Sequence, residues 1–135
     1  APADINSYYQ LGMLQTANEL FKDASLNLQH ALQLSQQELN TTEEAKRMTL
    51  LIQYQIGKLA AVSGQDLAKG TEAMIHYING NIAPEMPGLD WAHYRLGQVY
   101  QQKGDINKAN SEFGLAKELS KDKELIKLLR KTHRK

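Results

Sequence analysis

A short sequence word that occurs three times constrains the fold of this chain more than any other feature. Tyrosine, a polar residue, leucine or isoleucine, and glycine follow one another at residues 9–12, 54–57 and 94–97. After the third glycine, a small, a large and a second small residue lie 12, 16 and 19 positions further on, at Ala109, Phe113 and Ala116. Because steps of three and four residues align side chains on one face of an α-helix, a second helix is predicted after the word.

Matching positions follow the other two glycines. After Gly12 they hold Ala24, Leu28 and Ala31, the same small-large-small series. After Gly57, shifted by one residue, they hold Gly70, Met74 and Tyr77, so the last position is large in this unit. Small residues allow two helix backbones to approach closely, and the large residue fills the space beside them. The pattern therefore predicts three helical hairpins, which bury their apolar faces by stacking on one another.

Residues that start and stop helices divide the chain into about seven predicted helices. They lie near residues 5–18, 23–39, 42–62, 66–79, 89–103, 105–119 and 122–132. A glycine that suits a helix end precedes an aspartate that suits an N-cap at residues 64–66 and 104–105. A capping box from Thr41 to Glu44 opens the third helix. The predicted fold class is all-α, with one substantial loop at residues 80–88.

The third hairpin resembles a tetratricopeptide repeat. Residues 90–123 match the family's length of about 34 residues, and they carry Leu96, Gly97, Tyr100, Gly104, Ala109, Phe113 and Ala116 at its spacing. The other two units, near 5–38 and 47–83, depart from the pattern, with Gln15 and Ala60 in the place of Tyr100. The resemblance implies a single domain over residues 1–135, built as a right-handed superhelix of antiparallel helix pairs. Residues 122–132 would form its capping helix.

In this family the first helix of each repeat lines a concave groove that commonly accepts a peptide or a partner helix. The resemblance places twelve residues of this chain in such a groove: Asn6, Tyr9, Met13, Thr16, Leu51, Tyr54, Lys58, Ala61, Trp91, Tyr94, Gln98 and Gln101. Tyrosine and tryptophan are common binding anchors, because a rigid ring buries much area at a small entropic cost. The alternative is that the tyrosine rings pack between neighbouring hairpins, and the sequence leaves this open.

The charge of the groove argues against one kind of ligand. Family members that bind chaperones hold a C-terminal carboxylate with lysine and asparagine side chains. In this chain Tyr9 and Tyr54 stand where such residues would be needed, and Lys58 is the one cation assigned to the groove. An aromatic and glutamine-rich groove suits a peptide with apolar anchors, or a helix.

The charge distribution narrows the classes of partner. Residues 121–135 carry a net charge of +5, whereas the whole chain carries +1, so the remaining residues carry −4. An acidic body with one short basic stretch does not favour nucleic-acid binding. No apolar run is long enough to predict a membrane span. The first residues, Ala1 to Asp4, suggest a processed start, which leaves an exported and a cytoplasmic location equally open.

No catalytic, metal or cofactor site is predicted. Cysteine is absent, and His30, His76, His93 and His133 are scattered without the spacing of metal ligands. Neither a nucleophile motif nor a glycine-rich phosphate loop occurs. We therefore expect a protein- or peptide-binding adaptor and not an enzyme. The alternative is a structural domain that associates with itself or serves as an assembly spacer within a larger polypeptide.

Overall fold

The computed structural model describes residues 2–37 and 42–132. These residues form seven α-helices and no β-strand, which confirms the predicted all-α class. Within the described residues every predicted helix is present, and its ends agree with the prediction to within three positions. The helices are α1 Pro2–Ala17, α2 Phe21–Gln37, α3 Glu43–Ser63, α4 Leu67–Ile78, α5 Leu89–Lys103, α6 Ile106–Leu119 and α7 Lys123–Thr132.

Six of the helices pair into three hairpins that pack in chain order. Hairpin 1 comprises α1 and α2, hairpin 2 comprises α3 and α4, and hairpin 3 comprises α5 and α6. The first helices α1, α3 and α5 contact one another in a row. Each of α2 and α4 packs both on its own partner and on the first helix of the next hairpin. Side chains at matching positions of α1, α3 and α5 therefore follow one another along a single face.

The glycine of each sequence word lies where the two helices of its hairpin approach closely. A Cβ atom added to Gly12, Gly57 or Gly97 would lie 2.6 Å from the nearest side-chain carbon across the hairpin. That carbon belongs to the large residue of the series in each hairpin, namely Leu28, Met74 and Phe113. Three independent pairs with the same contact explain why the sequence repeats glycine and the large residue together.

The turns between helices follow the predicted chemistry in part. Gly64 and Gly104 end α3 and α5 with φ angles of 73° and 84°, in the left-handed region that glycine tolerates. Asp105 caps α6 by accepting a hydrogen bond from the backbone N–H of Lys108. Asp66 occupies the N-cap position of α4, but its side chain makes no capping bond. Its carboxylate instead accepts the Ser25 hydroxyl at 3.2 Å, which ties hairpin 2 to hairpin 1.

Two helix boundaries differ from the prediction in detail. Between α1 and α2 no glycine is present, and Glu19 adopts the left-handed conformation with φ 61°. At the start of α3, Thr41 lies outside the described residues, whereas the Thr42 hydroxyl accepts the backbone N–H of Ala45 at 2.9 Å. The described cap therefore begins one residue later than the predicted capping box.

The last helix closes the row of hairpins. Leu125 and Leu129 of α7 are buried against Phe113 and Tyr94. The opposite side of α7 is exposed and basic, with Lys123, Lys127, Arg130 and Lys131. A helix with one apolar and one charged side can end a stack, because it leaves a polar outer surface.

Candidate functional site

The residues assigned to a groove lie on α1, α3 and α5, which the fold aligns in one row. Their exposure differs strongly. Asn6 is exposed, and the residues that are half-buried are Met13, Leu51, Lys58, Trp91, Gln98 and Gln101. The buried ones are Tyr9, Thr16, Tyr54, Ala61 and Tyr94. The face therefore offers a partner a mixed polar and aromatic surface, with the tyrosine rings beneath it.

The three tyrosine rings are part of the buried core, where Tyr9 packs with residues of α3, Tyr54 with residues of α5, and Tyr94 with residues of α6 and α7. Tyr9, Tyr54 and Tyr94 are 8%, 6% and 6% exposed. Tyr54 packs on Tyr77 with ring centroids 5.2 Å apart, and Tyr94 packs on Phe113 at 5.9 Å. Burial raises the pKa of all three phenols, since the charged form is poorly solvated there. This burial favours the packing alternative that the sequence left open for the rings.

Two of these tyrosines interact with polar side chains of the next hairpin. Burial is the main influence on each phenol, but the Gln55 side chain opposes its effect on the pKa of Tyr9, and Arg95 opposes its effect on the pKa of Tyr54. Gln55 and Arg95 each directly follow the tyrosine of their own sequence word. In α5, where no further hairpin follows, the Tyr94 hydroxyl accepts Gln98 Nε2 at 3.2 Å instead. The interactions of Tyr9 and Tyr54 therefore link neighbouring hairpins, whereas the Tyr94 bond lies within α5.

Arg95 also lies on this face, although the sequence did not lead us to assign it to the groove. Its guanidinium carbon lies 5.4 Å from the ring centroids of both Trp91 and Tyr94, within the range of cation–π attraction. Its Nη1 donates to Gln98 Oε1 at 3.0 Å, whereas its buried Nε has no hydrogen-bond partner. One signal was available in the sequence, because the first two words carry glutamine where the third carries Arg95.

A second cation lies close to Arg95. Half-burial, and then the positive charge of Arg95, lower the pKa of Lys58. Within the described ranges, neither cation has a carboxylate within 4.0 Å, although three other Lys or Arg side chains do. The face thus holds two neighbouring positive charges that form no ion pair within the described part of the chain. Such an arrangement attracts an anionic group.

A depression of about 430 Å³ adjoins Lys58. It brings together three of the residues assigned to the groove, Met13, Thr16 and Lys58, with Gln55 beside them. The remaining lining residues are Ala17, Glu19, Phe21 and Val62. The lining therefore combines apolar side chains with one cation, Lys58, and one carboxylate, Glu19.

Other titratable groups do not assemble into a reactive cluster. The closest pair is His93 Nδ1 and Glu112 Oε1, 2.7 Å apart, which links α5 to α6. Among the described residues, no three His, Asp or Glu side chains are grouped so that they could hold a metal ion. His30 packs against the Tyr8 ring and His76 lies near Glu72, while His133 lies outside the described residues.

None of the helices in the described ranges has the length and apolar composition needed to cross a membrane. The family resemblance of the third hairpin rests on the residues themselves. Comparison of the chain with family models, with curated proteins and with solved structures gave no match.

Proposed function

We propose that this chain is a protein- or peptide-binding adaptor whose three hairpins stack as a tetratricopeptide-like right-handed superhelix. The partner would bind along α1, α3 and α5, on the side that becomes concave in such a superhelix. The observation that carries the proposal is the pair of cations, Lys58 and Arg95, without a carboxylate partner in the described part of the chain. The binding chemistry is therefore recognition of an acidic group beside apolar anchors.

Burial and proximity both make the charges of Lys58 and Arg95 unfavourable. Partial burial raises the free energy of a charge unless the charge is paired, and two cations close together raise that free energy further. A carboxylate supplied by a partner would reduce both penalties by pairing with the two cations. The ring of Trp91, only half-buried beside Arg95, offers the adjacent apolar contact.

The repeat itself supplies variants that should keep the fold. Hairpins 1 and 2 carry Gln10 and Gln55 in the place of Arg95, so Arg95→Gln installs the residue of the other two hairpins. Hairpin 3 carries Gln98 in the place of Lys58, so Lys58→Gln is matched in the same way. Lys69→Gln, on the exposed surface of α4, is the control for loss of one positive charge.

The test is a selection from a random displayed peptide library on the unmodified chain, followed by affinity measurement on the variants. We expect enriched peptides to contain Asp or Glu next to an aliphatic or aromatic residue. Arg95→Gln and Lys58→Gln should each weaken binding at least about tenfold, equivalent to about 1.4 kcal/mol, while Lys69→Gln leaves it unchanged. Equal affinities for all three variants would refute the assignment of the ligand to this face.

A structural or self-associating role is the second candidate. The observation in its favour is a set of exposed leucines on hairpin 1, among them Leu11 and Leu14, which are 42% and 60% exposed. Sedimentation velocity over a wide concentration range tests this role. A mass that rises with concentration, and that stays at the monomer value in Leu14→Gln, would establish it.

A further inference from the structure

Hairpin 1 carries a carboxylate at a position where the other two hairpins carry glycine. Glu19 lies seven residues after the glycine of the first sequence word, and the matching positions after the second and third words are Gly64 and Gly104. All three residues adopt the left-handed conformation, with φ angles of 61°, 73° and 84°. A residue with a Cβ atom is disfavoured there, whereas glycine is not. The turn therefore requires the conformation but does not explain the choice of glutamate.

The side chain of Glu19 is not needed to hold this turn. The backbone N–H groups of Glu19 and Leu20 donate to the carbonyls of Thr16 and Gln15, which ends α1. Glycine would make these main-chain bonds equally well. Among the described residues, the Glu19 carboxylate forms no ion pair within 4.0 Å. The carboxylate therefore remains available to a ligand.

Glu19 lines the same depression of about 430 Å³ as Lys58. The two side chains carry opposite charges, but no ion pair joins them within 4.0 Å. Met13, Phe21 and Val62 supply an apolar part of the lining. A carboxylate and an ammonium group that line one depression without pairing can each bind the opposite charge of a ligand.

The two charges lie in different electrostatic surroundings. A second depression of about 400 Å³ shares Glu19 with the first, and Lys22 and Asp23 also line it. Its two carboxylates and one ammonium group give it a net charge of −1. Lys58 instead has the positive charge of Arg95 nearby. The face is therefore negative at the turn after α1 and positive at Lys58 and Arg95, so it would orient a ligand that carries both charges.

We propose that the depression shared by Glu19 and Lys58 binds a segment of a partner peptide in which a basic, an apolar and an acidic side chain lie close together. Glu19 pairs with the basic side chain and Lys58 with the acidic one, while the apolar side chain contacts the apolar lining. This inference rests on the proposed function and deepens it, because it adds a cationic group to the acidic and apolar groups of the ligand.

A small zwitterion such as a free amino acid fits the depression less well. Ala17 and Val62 of the lining are exposed, so a small molecule would stay largely in contact with water. Binding sites for small molecules usually enclose most of the ligand surface. A peptide can run on from the depression along α3 and α5 and bury further surface there.

Two substitutions of Glu19 separate its charge from its effect on the turn. Glu19→Gln removes the charge and keeps the length of the side chain. Glu19→Gly installs the residue of the other two hairpins, and it should raise the urea midpoint, because glycine adopts the left-handed conformation without steric cost. A loss of binding in this more stable variant cannot result from unfolding. Glu118→Gln, on the exposed surface of α6, is the control for loss of one negative charge.

The probes are acetylated tripeptide amides that contain lysine, leucine and glutamate, with the two charges in either order. Matched tripeptides carry glutamine in place of lysine, and free leucine represents a small zwitterion. Each is titrated into the full chain with ¹³C-labelled methionine methyl groups and followed by NMR, which detects weak binding. Met13 lines the depression, whereas Met48, Met74 and Met86 do not and serve as internal controls.

We expect a saturable shift of the Met13 methyl signal by at least one of the two lysine peptides. Its affinity should exceed that of its glutamine match by about threefold, as an exposed ion pair of ordinary strength provides. This preference should disappear in Glu19→Gln and in Glu19→Gly, and it should remain in Glu118→Gln. No Met13 shift with any peptide, no preference in the unmodified chain, or a preference that survives either Glu19 substitution would each overturn the inference. Free leucine that binds as tightly as the peptides would also overturn it.

The proposed function fails on a different result. In the same assay, glutamine in place of the peptide glutamate should weaken binding, and Lys58→Gln should abolish that difference. A dependence on Lys58 without one on Glu19 would support recognition of the acidic group and overturn the cation site. A dependence on Glu19 without one on Lys58 would support the cation site and refute the proposed role of Lys58.

Discussion

Replacement of Gly97 by alanine tests whether close approach of helices is what the repeated glycine provides. The added Cβ would lie 2.6 Å and 2.7 Å from two ring carbons of Phe113, distances at which atoms overlap. The ring cannot move aside easily, because Phe113 is 1% exposed and packs with Tyr94 and Leu125. Gly114, within α6, is the matched control, since its added Cβ would meet no atom within 4 Å.

The two substitutions share one energy term and differ in another. Alanine in place of glycine inside a helix stabilises by about 1 kcal/mol in both variants. Overpacking of a filled core costs about 3 kcal/mol at the severe end of its usual range. We therefore expect Gly97→Ala to lower the free energy of unfolding by about 2 kcal/mol, and Gly114→Ala to raise it by about 1 kcal/mol. For a chain of this size the melting temperatures would differ by roughly 10 °C.

Urea denaturation followed by circular dichroism measures both variants. A double-mutant cycle with Phe113→Ala isolates the contact, because removal of the ring leaves space for the new methyl group. In that background Gly97→Ala should no longer destabilise the fold. If Gly97→Ala is as stable as Gly114→Ala, or if its cost persists without the ring, close approach is not the reason that glycine recurs in the three words.

Three further perturbations test single contacts. Hydrogen bonds from the Trp91 indole and then from backbone N–H groups lower the pKa of the Asp122 carboxyl in the folded chain. The charged carboxylate therefore stabilises the fold at a pH above the pKa that Asp122 has in the unfolded chain. This contribution is lost as the pH falls through the lower pKa of the folded chain. The fluorescence of Trp91, the single tryptophan, should therefore change below about pH 4, and the change should be absent in Asp122→Ala. Tyr77→Phe removes a 2.6 Å hydrogen bond to the Pro87 carbonyl and should cost about 1 kcal/mol in urea denaturation. Thr42→Ala removes the α3 cap and should cost about 1 kcal/mol in the same assay; unchanged midpoints would show that these bonds contribute no net stability.

Local chemistry explains why the helices could be predicted so closely. Apolar residues at three- and four-residue spacing determine where a helix runs, and residues such as Gly64 and Gly104 determine where it stops. Both signals act within a few residues. The turn at Glu19 carried no such signal, because a non-glycine residue there adopts a positive φ, held by the packing of the helices on either side.

The candidate site was less accessible from the sequence because it depends on contacts between hairpins. The distance between α3 and α5 determines whether the ring of Tyr54 faces a ligand or the core. No local sequence pattern predicts that distance. Arg95 is different, because the Trp91 and Tyr94 rings near its guanidinium lie on its own helix, α5, so helical spacing alone could have indicated these contacts. The sequence nevertheless held usable information, since aligning the three words shows where one hairpin differs from the other two.

The positions at which one hairpin differs from the other two indicate the candidate binding residues. A position that is the same in all three hairpins, such as the glycine of each word, is explained by packing that every hairpin shares. Arg95 replaces a glutamine and Lys58 corresponds to uncharged Met13 and Gln98, so the shared packing does not require either charge. The side of α1 with Leu11 keeps the apolar residues of an internal interface where no described helix covers it. In a chain built from repeats, the fold follows from what the repeats share, and binding sites are best sought where one repeat departs from the others.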